Sequence, residues 1–189
     1  MFGLGSTIGS DYNREHLLLA EYKSDFTSTS SGFTHFDDSG TANAFTAGQT
    51  IGGFSDWLKV TNNTNEADNS GIRHTSALDV ASQTGESEAT GDFAIVSYMI
   101  YIYHDGSTDH WGGTDAVSHY IKVHSDQQAA REIELNTITR VNIITSGHAD
   151  SSYSDKLIFG FDTAGDLPQD GAVYYIRDIH SRILRKKYA

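Results

Sequence analysis

Between Tyr101 and Gly113 the sequence reads YIYHDGSTDHWGG, which places two histidines, two aspartates, two tyrosines and a tryptophan within thirteen residues. Imidazole and carboxylate groups together can ligate a metal, and His104, Asp105, Asp109 and His110 supply four of them. The DGSTD run has oxygen donors at alternating positions, as calcium loops do, but the bidentate acid that closes such a loop is missing. Asp-Gly and Gly-Gly are also the pairs that tight turns demand, and on that ground the stretch reads as a connection leaving a strand. Trp111 sits in its polar, glycine-rich part and is expected at the surface. There it could stack on a sugar ring or a neighbouring subunit, with Tyr103, His104, Asp109 and His110 as hydrogen-bonding neighbours. Trp57, the other tryptophan, opens an alternating strand and reads as a packing residue.

Other chemistry is sparse. The chain has no GxSxG elbow, no GxxxxGK[ST] loop, no HExxH and no GxGxxG after a strand. A glycosidase needs only two carboxylates about 5–10 Å apart, so a small glycosidase or lyase stays open as a third reading behind two non-enzymatic ones. With no cysteine, thiol catalysis, thiolate metal sites and disulfides are excluded.

The 189 residues suit one well-buried domain. The 25 acidic residues against 13 basic ones give a net charge of −12, which leaves no broad cationic face to neutralise a phosphate backbone, so no nucleic-acid partner is expected. Positive charge gathers at the C-terminal end, in Arg177, Arg182, Arg185, Lys186 and Lys187. The N-terminus lacks the basic region and apolar core of a signal peptide. The longest apolar run, Phe93 to Tyr103, is about half a bilayer span, so no membrane span is expected.

The elements that must hold the loop are short. Apolar residues come in brief runs separated by Gly, Ser, Thr, Asn and Asp, and one proline occurs in the whole chain. This predicts an all-β protein, with strands at 16–23, 32–36, 43–45, 57–61, 71–78, 92–103, 118–124, 132–135, 139–146, 156–161 and 173–184. Asp126 to Leu135 also contains helix formers, and a turn leading into a strand is preferred there over a helix. In Phe93 to Tyr103 both alternating faces are apolar or aromatic. Such a strand belongs at the centre of a sheet, with a second layer over one face and a partner or ligand over the other. Val173 to Leu184 reads as one long half-buried strand whose odd positions share a face, broken by Arg177 and Ser181. Residues 1–15 lack strand periodicity and read as an extended arm, 16–184 as the domain, and 185–189 as a basic tail.

Two segments, IGGFSDWLKVTNNTNEADNSGIRH (51–74) and GAVYYIRDIHSRIL (171–184), resemble strands of jelly-roll carbohydrate-binding modules with the galactose-binding-like fold, versions of which occur in virion proteins of tailed bacteriophages. GDFAIVSYMIYIYHDG and KSDFTST are similar to the central strand and the opening segment of the same modules. The resemblance covers roughly residues 19–184. It implies a two-sheet antiparallel β-sandwich, a jelly roll with an extended N-terminal arm. It also implies a structural calcium between Asp25 and Asp178, although Thr27 and Arg177 stand where that pattern has acids.

The leading expectation from this resemblance is a non-enzymatic virion component, a capsid decoration protein or a short fibre or tail appendage, located in the phage particle. It would be homo-oligomeric and would dock on other virion proteins through Met1, Phe2, Gly3, Leu4 and Gly5, with Arg185, Lys186 and Lys187 as further contacts. The alternative is a glycan-binding module that attaches to a host or other surface.

Overall fold

The computed structural model describes residues 15–36, 42–63, 70–87, 89–106, 110–111, 115–123, 126–127, 131–145, 157–161 and 168–187. They form strands β1 (His16–Lys23), β2 (Thr34–Phe36), β3 (Ala44–Ile51), β4 (Phe54–Thr61), β5 (Ser70–His74), β6 (Phe93–Tyr103), β7 (Ala116–Val123), β8 (Asp126–Gln127), β9 (Arg131–Glu134), β10 (Ile138–Thr145), β11 (Leu157–Phe161) and β12 (Val173–Lys186). Alternation of large apolar residues with polar ones makes these segments strands, because successive side chains leave a strand on opposite sides. Within the ambiguous stretch 126–135 the described residues favour strand, with Asp126–Gln127 and Arg131–Glu134 both paired to β7. No helix among the described residues is long and apolar enough to cross a membrane.

The strands form two six-stranded sheets. Sheet A runs β10-β6-β12-β4-β3 with β1 also on β12, and sheet B runs β2-β5-β11-β7-β8 with β9 also on β7. Every pairing within the sheets is antiparallel. The inner faces meet in one core, to which β6 contributes Ala94, Val96, Tyr98, Ile100 and Ile102, and β7 contributes Val117, Ile121 and Val123. The expected two-sheet antiparallel sandwich is therefore the architecture found.

A chain of aromatic rings fills the space between the sheets. Trp111 packs on Phe161 with ring centroids 5.0 Å apart, Phe161 on His119 at 5.1 Å, Tyr98 on Phe159 at 4.8 Å, and Phe159 on Phe33 at 5.9 Å. His119 and Tyr98 are fully buried and come from opposite sheets, joined by a 2.8 Å contact between the imidazole Nε2 and the phenol oxygen. Burial pushes His119 down to about 3 and raises Tyr98 well above the usual phenol range. Both groups are therefore neutral in the folded protein near pH 7.

Two expectations change. Odd positions do not share one face along the whole of β12. Tyr174 and Ile176 point inward, then Ile179, Ser181 and Ile183 do. The pairing with β6 passes from Arg177↔Met99 to His180↔Ser97, which is three residues against two, and Asp178 takes φ 52. This is a β-bulge, and the one extra residue swaps the inward set. The boundary expected at Leu184 also falls inside β12, which runs to Lys186 and pairs with β1 from His16 onward. A short helix α1 (Val80–Thr84) was not expected. Asp79 caps it by accepting from the Ser82 N–H at 2.8 Å, and Gly85 ends it in the left-handed conformation.

Candidate functional site

The loop after β6 is built into the fold. Trp111 is 1% exposed and belongs to the core, against the surface position expected for it. Its indole N–H donates to the Tyr103 carbonyl at 3.1 Å, and its ring meets Phe161 and Tyr174. The polar, glycine-rich neighbours suggested a loop, correctly, but a loop can fold its one large apolar group inward to gain burial. A flat sugar would have no access to that ring.

The histidines tie loops together. His110 places Nδ1 2.9 Å from the Asp170 carbonyl, and its carbonyl accepts from Gln169 N–H at 2.9 Å. Gly171, at φ +85, leaves room for that imidazole, since a Cβ there would lie 2.8 Å from His110 Cε1. His104 is clamped by Asn136, whose Oδ1 accepts from its N–H at 2.9 Å and whose Nδ2 donates to its carbonyl at 2.7 Å. Asp109 and the arm residues Met1, Phe2, Gly3, Leu4 and Gly5 lie outside the described residues.

Asp25 and Asp178 have protein partners. Asp25 accepts from the Thr27 hydroxyl at 2.6 Å and from its N–H at 3.1 Å, which holds its carboxyl below the usual range. Asp178 forms an ion pair with Arg140. Thr27, standing where the resembling modules carry an acid, thus acts as a donor to Asp25. Among the described residues no group of three or more His, Asp or Glu is arranged to hold a metal ion. Arg185 faces inward to an acid instead of outward to a partner. Its Nε and one terminal nitrogen contact the two oxygens of the buried Asp92 at 2.8 Å each, and it also donates to the Ser87 carbonyl at 2.7 Å. Such a bidentate fork consumes the guanidinium. Lys186, the last residue of β12, is exposed, and Lys187 donates its backbone N–H to the Glu15 carbonyl at 2.9 Å.

The candidate binding surface is the outer face of sheet A. Strand register sets Ile138, Tyr101, Tyr175, Lys59 and Thr46 in one row across β10, β6, β12, β4 and β3. Tyr101 and Tyr175 have ring centroids 5.9 Å apart, and Tyr103, two residues along β6, is 44% exposed. Burial raises the Tyr175 phenol, and the nearby Tyr101 and Tyr103 phenols raise it further. The Tyr175 hydroxyl therefore remains a neutral donor and acceptor near neutral pH.

One row toward the bulge, the Arg177 guanidinium lies 5.1 Å from the Phe54 ring centroid and 5.7 Å from that of Trp57. Trp57 is fully buried, as its packing role predicted, but it packs on this outer face and not between the sheets. The β3–β4 hairpin bends across the same face. Its Gly52, at φ +58, sits where a Cβ would meet Ile138 Cδ1 at 2.5 Å, although β10 lies at the opposite edge of the sheet. The hairpin forms a wall and the tyrosines a floor. Sequence reading placed a ligand or partner over the second face of β6, but Tyr101, Tyr175, Lys59, Arg177 and Phe54 were not singled out as a set. They lie on three strands distant in sequence.

No family model matches the chain, and no curated protein sequence matches it. Similar solved structures exist. The C-terminal family 22 carbohydrate-binding module of Clostridium thermocellum Xyn10B aligns with a TM-score of 0.55 and 13% identity over 86% of this chain and 92% of that one. The CBM22-1 xylan-binding domain of Paenibacillus barcinonensis Xyn10C aligns with a TM-score of 0.51 and 13% identity, covering 89% and 96%. An arabinose-bound α-L-arabinofuranosidase, MgGH51, gives 0.56 and 9% identity, with 88% of this chain matching 27% of that enzyme. Likeness at this level of identity establishes the fold, and the fold is the jelly-roll sandwich of carbohydrate-binding modules.

Proposed function

We propose that this chain is a non-catalytic glycan-binding module that holds a sugar chain across the outer face of sheet A. The observation that carries the reading is the cluster of partly exposed tyrosines, Tyr101, Tyr103 and Tyr175, beside the wall made by the β3–β4 hairpin. Sugars present C–H faces that pack on aromatic rings and hydroxyls that exchange hydrogen bonds with polar edges, and this face supplies both. Two of the similar structures are family 22 carbohydrate-binding modules, one of them described as a xylan-binding domain, which supports the same reading. The test is native affinity electrophoresis of the full chain on a polysaccharide panel that includes xylan. Retardation by at least one polymer, lost in Tyr175→Ala with the melting temperature kept, is the expected result. Equal migration in every gel would end the proposal.

The finer expectation, a phage-particle protein, draws its support from the sequence resemblance, and its arm lies outside the described residues. Mass spectrometry of purified particles tests it, with tens to hundreds of copies expected and absence overturning it. A glycan-binding module on a particle surface would satisfy both readings. A structural calcium between Asp25 and Asp178 likewise stays a proposal. A rise in melting temperature with added calcium, lost in Asp25→Asn, is its expected signature.

A further inference from the structure

We infer that the ligand of this face is an acidic glycan, one whose sugars carry carboxylate or sulfate groups. The inference rests on the glycan-binding reading and adds the charge of the sugar. The chain carries 25 acids against 13 bases, so a random patch of its surface would be negative. The outer face of sheet A is the reverse. The outward registers of β1, β4, β10 and β12 hold Lys23, Lys59, Arg140, Arg177, Arg182 and Lys186. On the same registers and at the bulge stand the acids Glu21 and Asp178, and both are already engaged. Glu21 meets His180 at 2.7 Å and Lys23 at 3.3 Å, and Asp178 meets Arg140. Lys59, Arg177, Arg182 and Lys186 have no carboxylate partner among the described residues.

Two of these four stand at the tyrosine floor. Lys59 is the direct cross-strand neighbour of Tyr175. Arg177 is half-buried, held between hairpin and sheet by Phe54 and Trp57, and its Nε has no hydrogen-bond partner among the described residues. Guanidinium groups present a planar fork that matches carboxylate or sulfate oxygens, and a fork fixed by ring packing loses little freedom on binding. At ionic strength near 0.1 M the screening length is about 10 Å, so cations on this face outweigh the acids elsewhere on the molecule. A nucleic acid would also be drawn to positive charge, but the four cations without a carboxylate partner offer few phosphate contacts, whereas the tyrosine floor beside Lys59 and Arg177 suits a sugar.

The decisive experiment compares glucuronoxylan with the same polymer after its uronic carboxyls are reduced to hydroxymethyl groups, by affinity electrophoresis of the full chain. Polygalacturonate, dextran sulfate and a single-stranded oligothymidine serve as further arms, the first two separating carboxylate from sulfate. The expected result is retardation by at least one acidic glycan, at least about tenfold weaker for a carboxyl-reduced or neutral counterpart, and a preference that shrinks toward 1 M salt, where screening reaches about 3 Å. Lys59→Gln and Arg177→Gln should each reduce the acidic preference, read as the ratio of acidic to neutral retardation, about fivefold, with Arg177→Lys recovering part. Lys59→Gln keeps the test decisive should Arg177→Gln disturb the packing of Trp57. Equal binding of acidic and neutral forms would overturn this inference and leave the glycan reading standing. Binding to no glycan would overturn both, and tighter binding of the oligothymidine than of every glycan would reassign the face.

Discussion

Tyr174 and Tyr175 are adjacent on β12, yet the first is 1% exposed and lies between the sheets against Trp111 and Phe161, while the second lies on the outer face beside Tyr101 and Lys59. The same division runs along β6, where Tyr98 enters the interior and Tyr101 and Tyr103 stay outside. Both faces are rich in aromatic rings. Inside, the rings meet one another and a neutral histidine, and the energy is that of burial and packing. Outside, they stand beside cations with no carboxylate partner and keep part of their surface in water, which is what a ligand can use. The comparison teaches that aromatic content alone marks neither core nor site, and that the groups sharing the ring's face decide which it is.

The largest effect should come from breaking the interior. Trp111→Ala should lower stability by about 3–5 kcal/mol, read by urea denaturation, because it leaves a cavity beside Phe161 and Tyr174. A loss under about 1 kcal/mol would put Trp111 back at the surface and undo the comparison.

Acid comes next. His119 has a folded value of about 3 against an ordinary 6.5, so the unfolded chain takes up this proton first. Stability from this group is therefore complete above the unfolded value and falls with pH through the window down to about 3, costing about 3 kcal/mol between about pH 7 and about pH 4. His119→Phe should flatten that limb in urea melts at several pH values. An unchanged acid limb would show that the imidazole is not sealed between the sheets.

Outer-face changes should act on retention instead. Tyr175→Ala should weaken glycan retention at least about tenfold, or about 1.4 kcal/mol, while the melting midpoint moves little. A loss of stability with retention preserved would make Tyr175 a packing residue like its neighbour. Tyr103→Ala, at the margin of the floor, should have the smallest effect, about threefold on retention, and a larger one than Tyr175→Ala would move the centre of the site toward the β6 end.

Much of the fold was legible. Short alternating runs, scarce proline and turn residues between them led to the two-sheet sandwich, and the two-sided apolar pattern of Phe93–Tyr103 placed β6 within a sheet with something over its second face. Loop chemistry misled in one respect. The described residues of the HDGSTDHWGG segment lie outside the strands, but a residue's neighbours in sequence do not show whether its side chain turns inward, and that of Trp111 does. Arg185 looked like part of a basic tail because its acid partner Asp92 is 93 residues away. The outer-face site was unreadable as a set for the same reason, since Tyr101, Tyr175 and Lys59 meet only through the pairing of β6, β12 and β4.

By itself the sequence determined that this chain alternates, where it turns and that it carries a net charge of −12, because these depend on residue types and their spacing. Tertiary structure decided which side of each strand is inside. Side-chain direction alternates with period two, so the single extra residue at the Arg177–Asp178 bulge reverses every assignment after it, and only hydrogen bonding to β6 shows that the residue is there. It also decided where the charge falls, gathering scattered lysines and arginines onto one face of an otherwise acidic molecule.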